Sequence, residues 1–195
     1  VRSLPFEGGE EALVAALRSG RLDAGAAFYD RYARSIHALV FRLMGPDGEI
    51  DDVVHDVFVR ALESLVRLRD PSALRAWLYG IAVRTVAIRF QKRARGRWLR
   101  FMAPEDVPES VSPPADGELG EALRDVYAIL RGMDPDERIA LVLHRVEALS
   151  LEEAASAAGT SLSTYRRRLA RGEAKFLARA SSRPALEAWL EGGKR

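Results

Sequence analysis

Three observations predict an all-α fold made of two small helical domains joined by a flexible linker. Apolar residues recur at three- and four-residue spacing along most of the chain, and no segment alternates convincingly with period two. The stretch 102–120 interrupts this pattern, with Pro104, Pro108, Pro113 and Pro114 set among acids, serines and glycines. Such a composition buries too little apolar surface to offset chain entropy, so it reads as a linker. At 195 residues and 48% hydrophobic content the chain can fill a core on each side of it. The expected division is 1–101, then the acidic, proline-rich linker 102–120, then 121–195.

The elements follow in order. A short helix is expected near Glu10 to Arg18. Phe28, Tyr32, Ile36, Leu39, Val40 and Leu43 share one helical face, ended by the breaker Gly45-Pro46-Asp47-Gly48. A second stripe runs Val53, Val54, Val57, Phe58, Ala61, Leu62 and Leu65; a third runs Leu74, Trp77, Leu78, Ile81, Thr85 and Ile88. Pro71 suits the first turn of that third helix, with Asp70 or Ser72 as its cap. Beyond the linker, Leu123, Val126, Tyr127, Leu130 and Met133 form a further helix. Asp134-Pro135-Asp136-Glu137 then caps one carrying Ile139, Val142, Leu143 and Val146. Ser150 and Glu153 have the spacing of a capping box, and Gly159 suits a left-handed turn. The helix after that turn has Leu162, Tyr165, Leu169 and Phe176 on its buried side. Pro184 to Leu190 reads as a short helix packed on the second domain.

The net charge is only +2, but its distribution is uneven. Of 30 basic residues only Lys92, Lys175 and Lys194 are lysine, and asparagine is absent, as a GC-rich coding sequence would give. Position is therefore more informative than arginine count. From Pro71 to Pro104 there are eight basic residues and no acid; from Arg166 to Arg179 there are six against the single Glu173. Between these blocks Glu105 to Asp125 carries seven acids and one arginine. Two separated basic blocks imply two polyanion-binding surfaces, for which arginine's planar fork is suited.

Several classes are excluded. With no cysteine there is no disulfide framework, thiolate metal site or cysteine nucleophile. No phosphate loop, nucleophile elbow or dinucleotide fingerprint is present. The longest uncharged stretch, Ala154 to Tyr165, is far short of the ~20 residues of a membrane span. The opening Val1 to Phe6 carries no signal-peptide core. A cytoplasmic protein without membrane insertion, cofactor or metal is expected.

A short helix, a glycine turn and a basic second helix make a helix-turn-helix at 150–177, which turns Ser163, Thr164, Arg166, Arg167 and Arg171 towards a major groove. The first domain adds Asp51-Asp52-Val53-Val54-His55-Asp56-Val57-Phe58 and Ala76-Trp77-Leu78-Tyr79-Gly80-Ile81-Ala82 with an arginine-rich tail. These segments closely resemble region two of bacterial sigma factors of the sigma-seventy family, extracytoplasmic-function (ECF) type. Met133 to Arg138 and Leu149 to Ala155 resemble that family's region four. The resemblance covers roughly 28–100 and 123–177.

It implies a non-enzymatic factor that docks on the clamp helices and flap of RNA polymerase core and opens promoters. Region two would capture the minus-ten element as a single strand; region four would read the minus-thirty-five element as duplex. An anti-sigma factor is a candidate partner. Asp51, Asp52, His55, Asp56 and Arg60 would face the core. Trp77, Tyr79, Arg84, Thr85, Arg89, Lys92 and Arg93 would face minus-ten DNA, with Thr85-Val86-Ala87 as a base-specificity loop at a break between two helices. Ser161, Ser163, Thr164, Arg166, Arg167, Arg168 and Arg171 would face minus-thirty-five DNA, Arg168 towards a flanking phosphate. Arg84 stands where many relatives carry asparagine, and His55 where glutamine is usual. Two other readings compete: a helix-turn-helix regulator with no polymerase contact, and a metal-dependent phosphohydrolase built on His55-Asp56, whose histidines lack ligand spacing.

Overall fold

The computed structural model describes residues 8–99 and 118–186, and its regular structure there is helical throughout. In the first half, α1 (Glu10–Arg18) lays the fully buried Leu13 and Val14 against its neighbours, and the Arg18 guanidinium donates to the Leu68 carbonyl. Helices α2 (Leu22–Met44), α3 (Ile50–Ser64) and α4 (Leu74–Leu99) form the bundle. The α2 stripe from Phe28 to Leu43 is buried as its spacing predicts, and the helix stops at Gly45, whose φ of 78° is costly for any residue with a Cβ. Phe28 meets Phe58 of α3 edge-on, with ring centroids 5.4 Å apart.

Three expectations for this half need correcting. Ile88, expected on the apolar stripe of α4, is 49% exposed. Leu62 belongs to no core: it is 48% exposed, because α3 turns it away from α2 and α4. Nor is there a break at Thr85. Helix α4 continues through Thr85-Val86-Ala87, with Thr85 Oγ1 donating to the Ile81 carbonyl one turn back at 2.9 Å. Upstream, Asp70 is the capping residue: its carboxylate accepts from Ser72 N at 2.9 Å and starts the single turn Pro71–Ala73 that leads into α4.

In the second half, α5 (Glu118–Arg131) begins inside the stretch expected as linker; positions 100–117 lie outside the described residues. Asp134 caps α6 (Pro135–Leu141), which runs into a π turn at Val142–Val146. The wider π turn shifts the helical phase, which leaves Val146, expected on the apolar stripe, 48% exposed. Helix α7 (Leu151–Ala157) starts with the full Ser150–Glu153 capping box. Gly159, at φ 65°, makes the turn into α8 (Leu162–Ala180). There Tyr165 is wholly buried and its hydroxyl donates to the Ala140 carbonyl at 2.7 Å. Gly172 is required by packing, since a Cβ there would lie 2.9 Å from the Glu137 carbonyl oxygen. Leu186, in the short turn that follows α8, is buried; 187–195 lie outside the described residues.

The halves pack on one another. Phe41 of α2 meets Tyr127 of α5 edge-on at 4.9 Å, and buried residues from both halves form one continuous core.

Candidate nucleic-acid interface

Three surfaces carry the residues singled out from the sequence. On α3, Asp51, Asp52, His55, Asp56 and Arg60 are all exposed, and His37 Nε2 lies 3.5 Å from Asp51. The same face continues as an apolar stripe: Val59 is 39%, Leu62 48% and Val66 81% exposed. With His55 these positions recur at intervals of four, three and four residues, which keeps them on one side of the helix and its 3₁₀ extension. Sequence reasoning missed the stripe because isolated apolar residues on a helix read as core. Its signal is that this helix has more apolar positions than one face can hold.

The second surface is formed by α4 and the turns before it. A cavity of about 480 Å³ is lined by Arg67, Arg69, Trp77 and Arg84 together with Glu152 and Glu153 of α7. A second, of about 330 Å³, is lined by Arg60, Arg67, Trp77, Arg84 and Ile88. Trp77 and Arg84 border both. Arg84 has no ion pair or hydrogen bond among the described residues, and burial lowers its pKa from the ordinary guanidinium value. An aromatic face beside a cation that lacks a partner can hold a base with its phosphate. Arg67 and Arg69 were not singled out from the sequence, since a turn gives no periodic signal.

Other α4 residues are differently placed from expectation. Tyr79 is fully buried, and its hydroxyl donates to Glu147 Oε2 at 2.9 Å, so it is closed to nucleic acid in this arrangement. Burial, and then the Glu147 carboxylate, push its pKa up, while Arg75 acts against them. Thr85 is 5% exposed and bonded within its own helix, so it cannot form part of an exposed loop. Arg89 lies 3.0 Å from Glu49 and is partly buried, whereas Lys92 is exposed. The Arg93 side chain lies outside the described residues.

The third surface is α8. Ser161 caps it, accepting from Thr164 N at 3.3 Å, and its hydroxyl also donates to Thr164 Oγ1 at 3.0 Å. Ser163, Arg166, Arg167 and Arg171 are exposed, and these three arginines have no ion pair among the described residues. Arg168, expected near a flanking phosphate, has its guanidinium 2.5 Å from Asp136. Tyr165 and Leu169 on the opposite side fix the helix against α6, which gives the arginine face a rigid support.

With this geometry in place, comparison with known proteins shows two domains of one family in order: sigma-70 region 2 over residues 28–96 and sigma-70 region 4 over residues 123–176. The chain is 32% identical over 168 residues to the ECF RNA polymerase sigma factor SigE of Mycolicibacterium smegmatis, spanning 81% of this chain and 63% of that protein. It is 29% identical over 171 residues to the ECF RNA polymerase sigma-E factor of Escherichia coli, spanning 83% of this chain and 89% of that one. Its fold is similar to CnrH, solved in complex with the cytosolic domain of CnrY, at a TM-score of 0.62 and 26% identity over 87% of this chain and 95% of the other. It is similar in fold to the sigma factor RpoE of Bartonella quintana, solved with the anti-sigma factor NepR, at a TM-score of 0.62 and 21% identity over 78% and 95%.

Proposed function

This chain belongs to the sigma-70 family, in its ECF branch, and we propose that it directs promoter recognition by dividing DNA between its two cationic surfaces while α3 holds polymerase core. The observation that carries this reading is the pair of unlike surfaces in the family's order: an exposed arginine face on a rigid helix, and cavities that join Trp77 to an arginine without a partner among the described residues. The first suits duplex. Arginine reads guanine edges bidentately in a major groove, and Arg166, Arg167 and Arg171 are exposed to do so. The second suits an unstacked strand, with stacking on Trp77 and phosphate contact at Arg84, Arg67 or Arg69. In this reading the turn segment 65–73 takes the base-specificity role first expected of Thr85-Val86-Ala87. Lys92 and Arg89 extend the cationic track.

Polymerase core takes the α3 face, where the acids Asp52 and Asp56 steer the encounter and Val59, Leu62 and Val66 supply apolar contact. The protein acts by binding and is not an enzyme. Its place of action is the cytoplasm; no helix among the described residues is long and apolar enough to cross a membrane. We assign core and minus-ten binding to 1–101 and minus-thirty-five binding to 121–195, with α5 starting slightly earlier than that boundary. An anti-sigma factor completes the partners. The helix-turn-helix regulator and hydrolase readings explain neither the apolar stripe on α3 nor the paired cavities.

Run-off transcription with core polymerase and genomic fragments tests the proposal. Discrete transcripts that require this protein are expected; their absence, with core active on other factors, would overturn it. In fluorescence titration Asp56→Arg and Leu62→Glu should each weaken core binding while leaving the melting temperature nearly unchanged, because both positions are exposed.

A further inference from the structure

The turn segment 65–73 is held in place by α1. It contains two single 3₁₀ turns, Leu65–Arg67 and Pro71–Ala73, and Leu68 between them is extended, at φ −71° and ψ 107°. Side chains alternate across extended backbone. Leu68 points inward and is 3% exposed, whereas Arg67 and Arg69 on either side of it are exposed and line the larger cavity beside Trp77. Whatever fixes Leu68 therefore aims both arginines.

Two interactions fix it. Its side chain is buried in the core that α1 enters with Leu13 and Val14, and α1 touches both 3₁₀ turns. Its carbonyl accepts from the Arg18 guanidinium, across 50 residues of chain. Arg18 stands on the last turn of α1, and that end of the helix is itself closed. The Ala16 carbonyl accepts from the Arg21 amide at 3.2 Å and from the Ser19 hydroxyl at 2.9 Å. The opposite end is tied to α2, where the Tyr32 hydroxyl donates to Glu10 Oε1 at 2.7 Å and Arg31 Nη2 donates to the Gly8 carbonyl at 3.2 Å. Helix α1 is thus a strut clipped at both ends, with the Arg18 guanidinium as its polar hold on the turn. Arg18 lines neither cavity, so it acts on a bound strand only through that turn. It is exposed, and its removal leaves the apolar core in place.

We propose that Arg18 is a positioning residue for minus-ten recognition: by holding the Leu68 carbonyl it sets the direction of Arg67 and Arg69, and so which base fits beside Trp77. The proposal rests on the reading of 65–73 as the base-specificity segment. A loosened turn presents the same two charges over a range of positions, which retains attraction for phosphate and loses discrimination between bases.

The test uses holoenzyme made from core polymerase and this chain. Its template is one promoter found by run-off transcription, randomised across the minus-ten element, and the transcribed sequences are counted. Arg18→Met keeps the aliphatic stem and removes the donor; Arg18→Lys keeps a donor. With Arg18→Met, preference within the minus-ten element should flatten about fivefold, as for the loss of one net hydrogen bond. Preference at the minus-thirty-five element and affinity for core should stay as in the wild type, and Arg18→Lys should recover most of the loss. An unchanged minus-ten profile with Arg18→Met overturns the proposal. So does transcription that falls by one common factor at every minus-ten sequence, which is what a merely structural role would give. The double variant Arg67→Ala, Arg69→Ala separates the two readings. If it flattens the profile and Arg18→Met does not, the turn reads bases without Arg18 and only the positioning role fails. If it leaves the profile intact, 65–73 is not the specificity segment, and the proposal falls with that reading.

Discussion

The basic blocks at 71–104 and 166–179 are alike in composition and unlike once folded. On α8 the charge is available: Arg166, Arg167 and Arg171 point outward from a helix whose other side is anchored by Tyr165. On α4 much of the charge is already engaged, Arg75 by Glu147 and Arg89 by Glu49, and Arg84 is left beside Trp77. Charge density in a sequence is therefore a poor measure of charge that a ligand can reach. The two surfaces also suit different forms of DNA. A convex, rigid arginine face fits a groove, and a cavity bordered by an indole fits a base removed from its stack.

The contrast can be broken most strongly at Gly172. Replacing it with leucine drives a side chain into the Glu137 carbonyl and separates α8 from α6, for an expected loss of ~1–3 kcal/mol in a thermal or urea melt. Duplex binding should fall with it, because the arginine face loses its support. Arg167→Ala tests the readout itself. It should leave stability unchanged and relax base preference at one minus-thirty-five position by ~1–3 kcal/mol, measured across single-base promoter variants. A uniform loss at all sequences would show that the wrong face has been assigned to the groove.

Arg84→Ala sharpens the other side of the comparison. Because this arginine has no ion pair or hydrogen bond among the described residues, its removal should not lower the melting temperature. Promoter opening read by permanganate footprinting should still fall about tenfold, as for the loss of a single charge-assisted contact. Arg89→Ala should behave in the opposite sense, with a measurable stability loss from the half-buried Glu49 pair and a smaller effect on opening. The smallest effect is expected at Arg168→Ala. With its guanidinium held by Asp136, removal should cost ~0–1 kcal/mol of stability and leave the salt dependence of DNA binding nearly unchanged.

Local signals in the sequence were followed closely by the structure. The capping box at Ser150, the Asp134 and Asp70 caps and the left-handed Gly159 depend on residues within a few positions of one another, so chain-local chemistry decides them. The buried side of α8 was equally legible, since 3.6-residue periodicity needs no knowledge of what lies opposite. Less legible were residues whose role depends on a distant neighbour. Tyr79 read as a DNA contact because nothing near it in sequence announces Glu147, 68 residues away. Leu62 read as core because an apolar stripe does not say how much of it a neighbouring helix will cover.

What the sequence alone determined is thus the helical class, most helix starts, and which helices carry charge, all properties of short-range geometry and composition. The tertiary structure decided which of those charges are free, where the cavities open, and that α7 and Glu147 close over α4. Burial and ion pairing are long-range outcomes: they follow from which surfaces exclude water together, and no single segment contains that information.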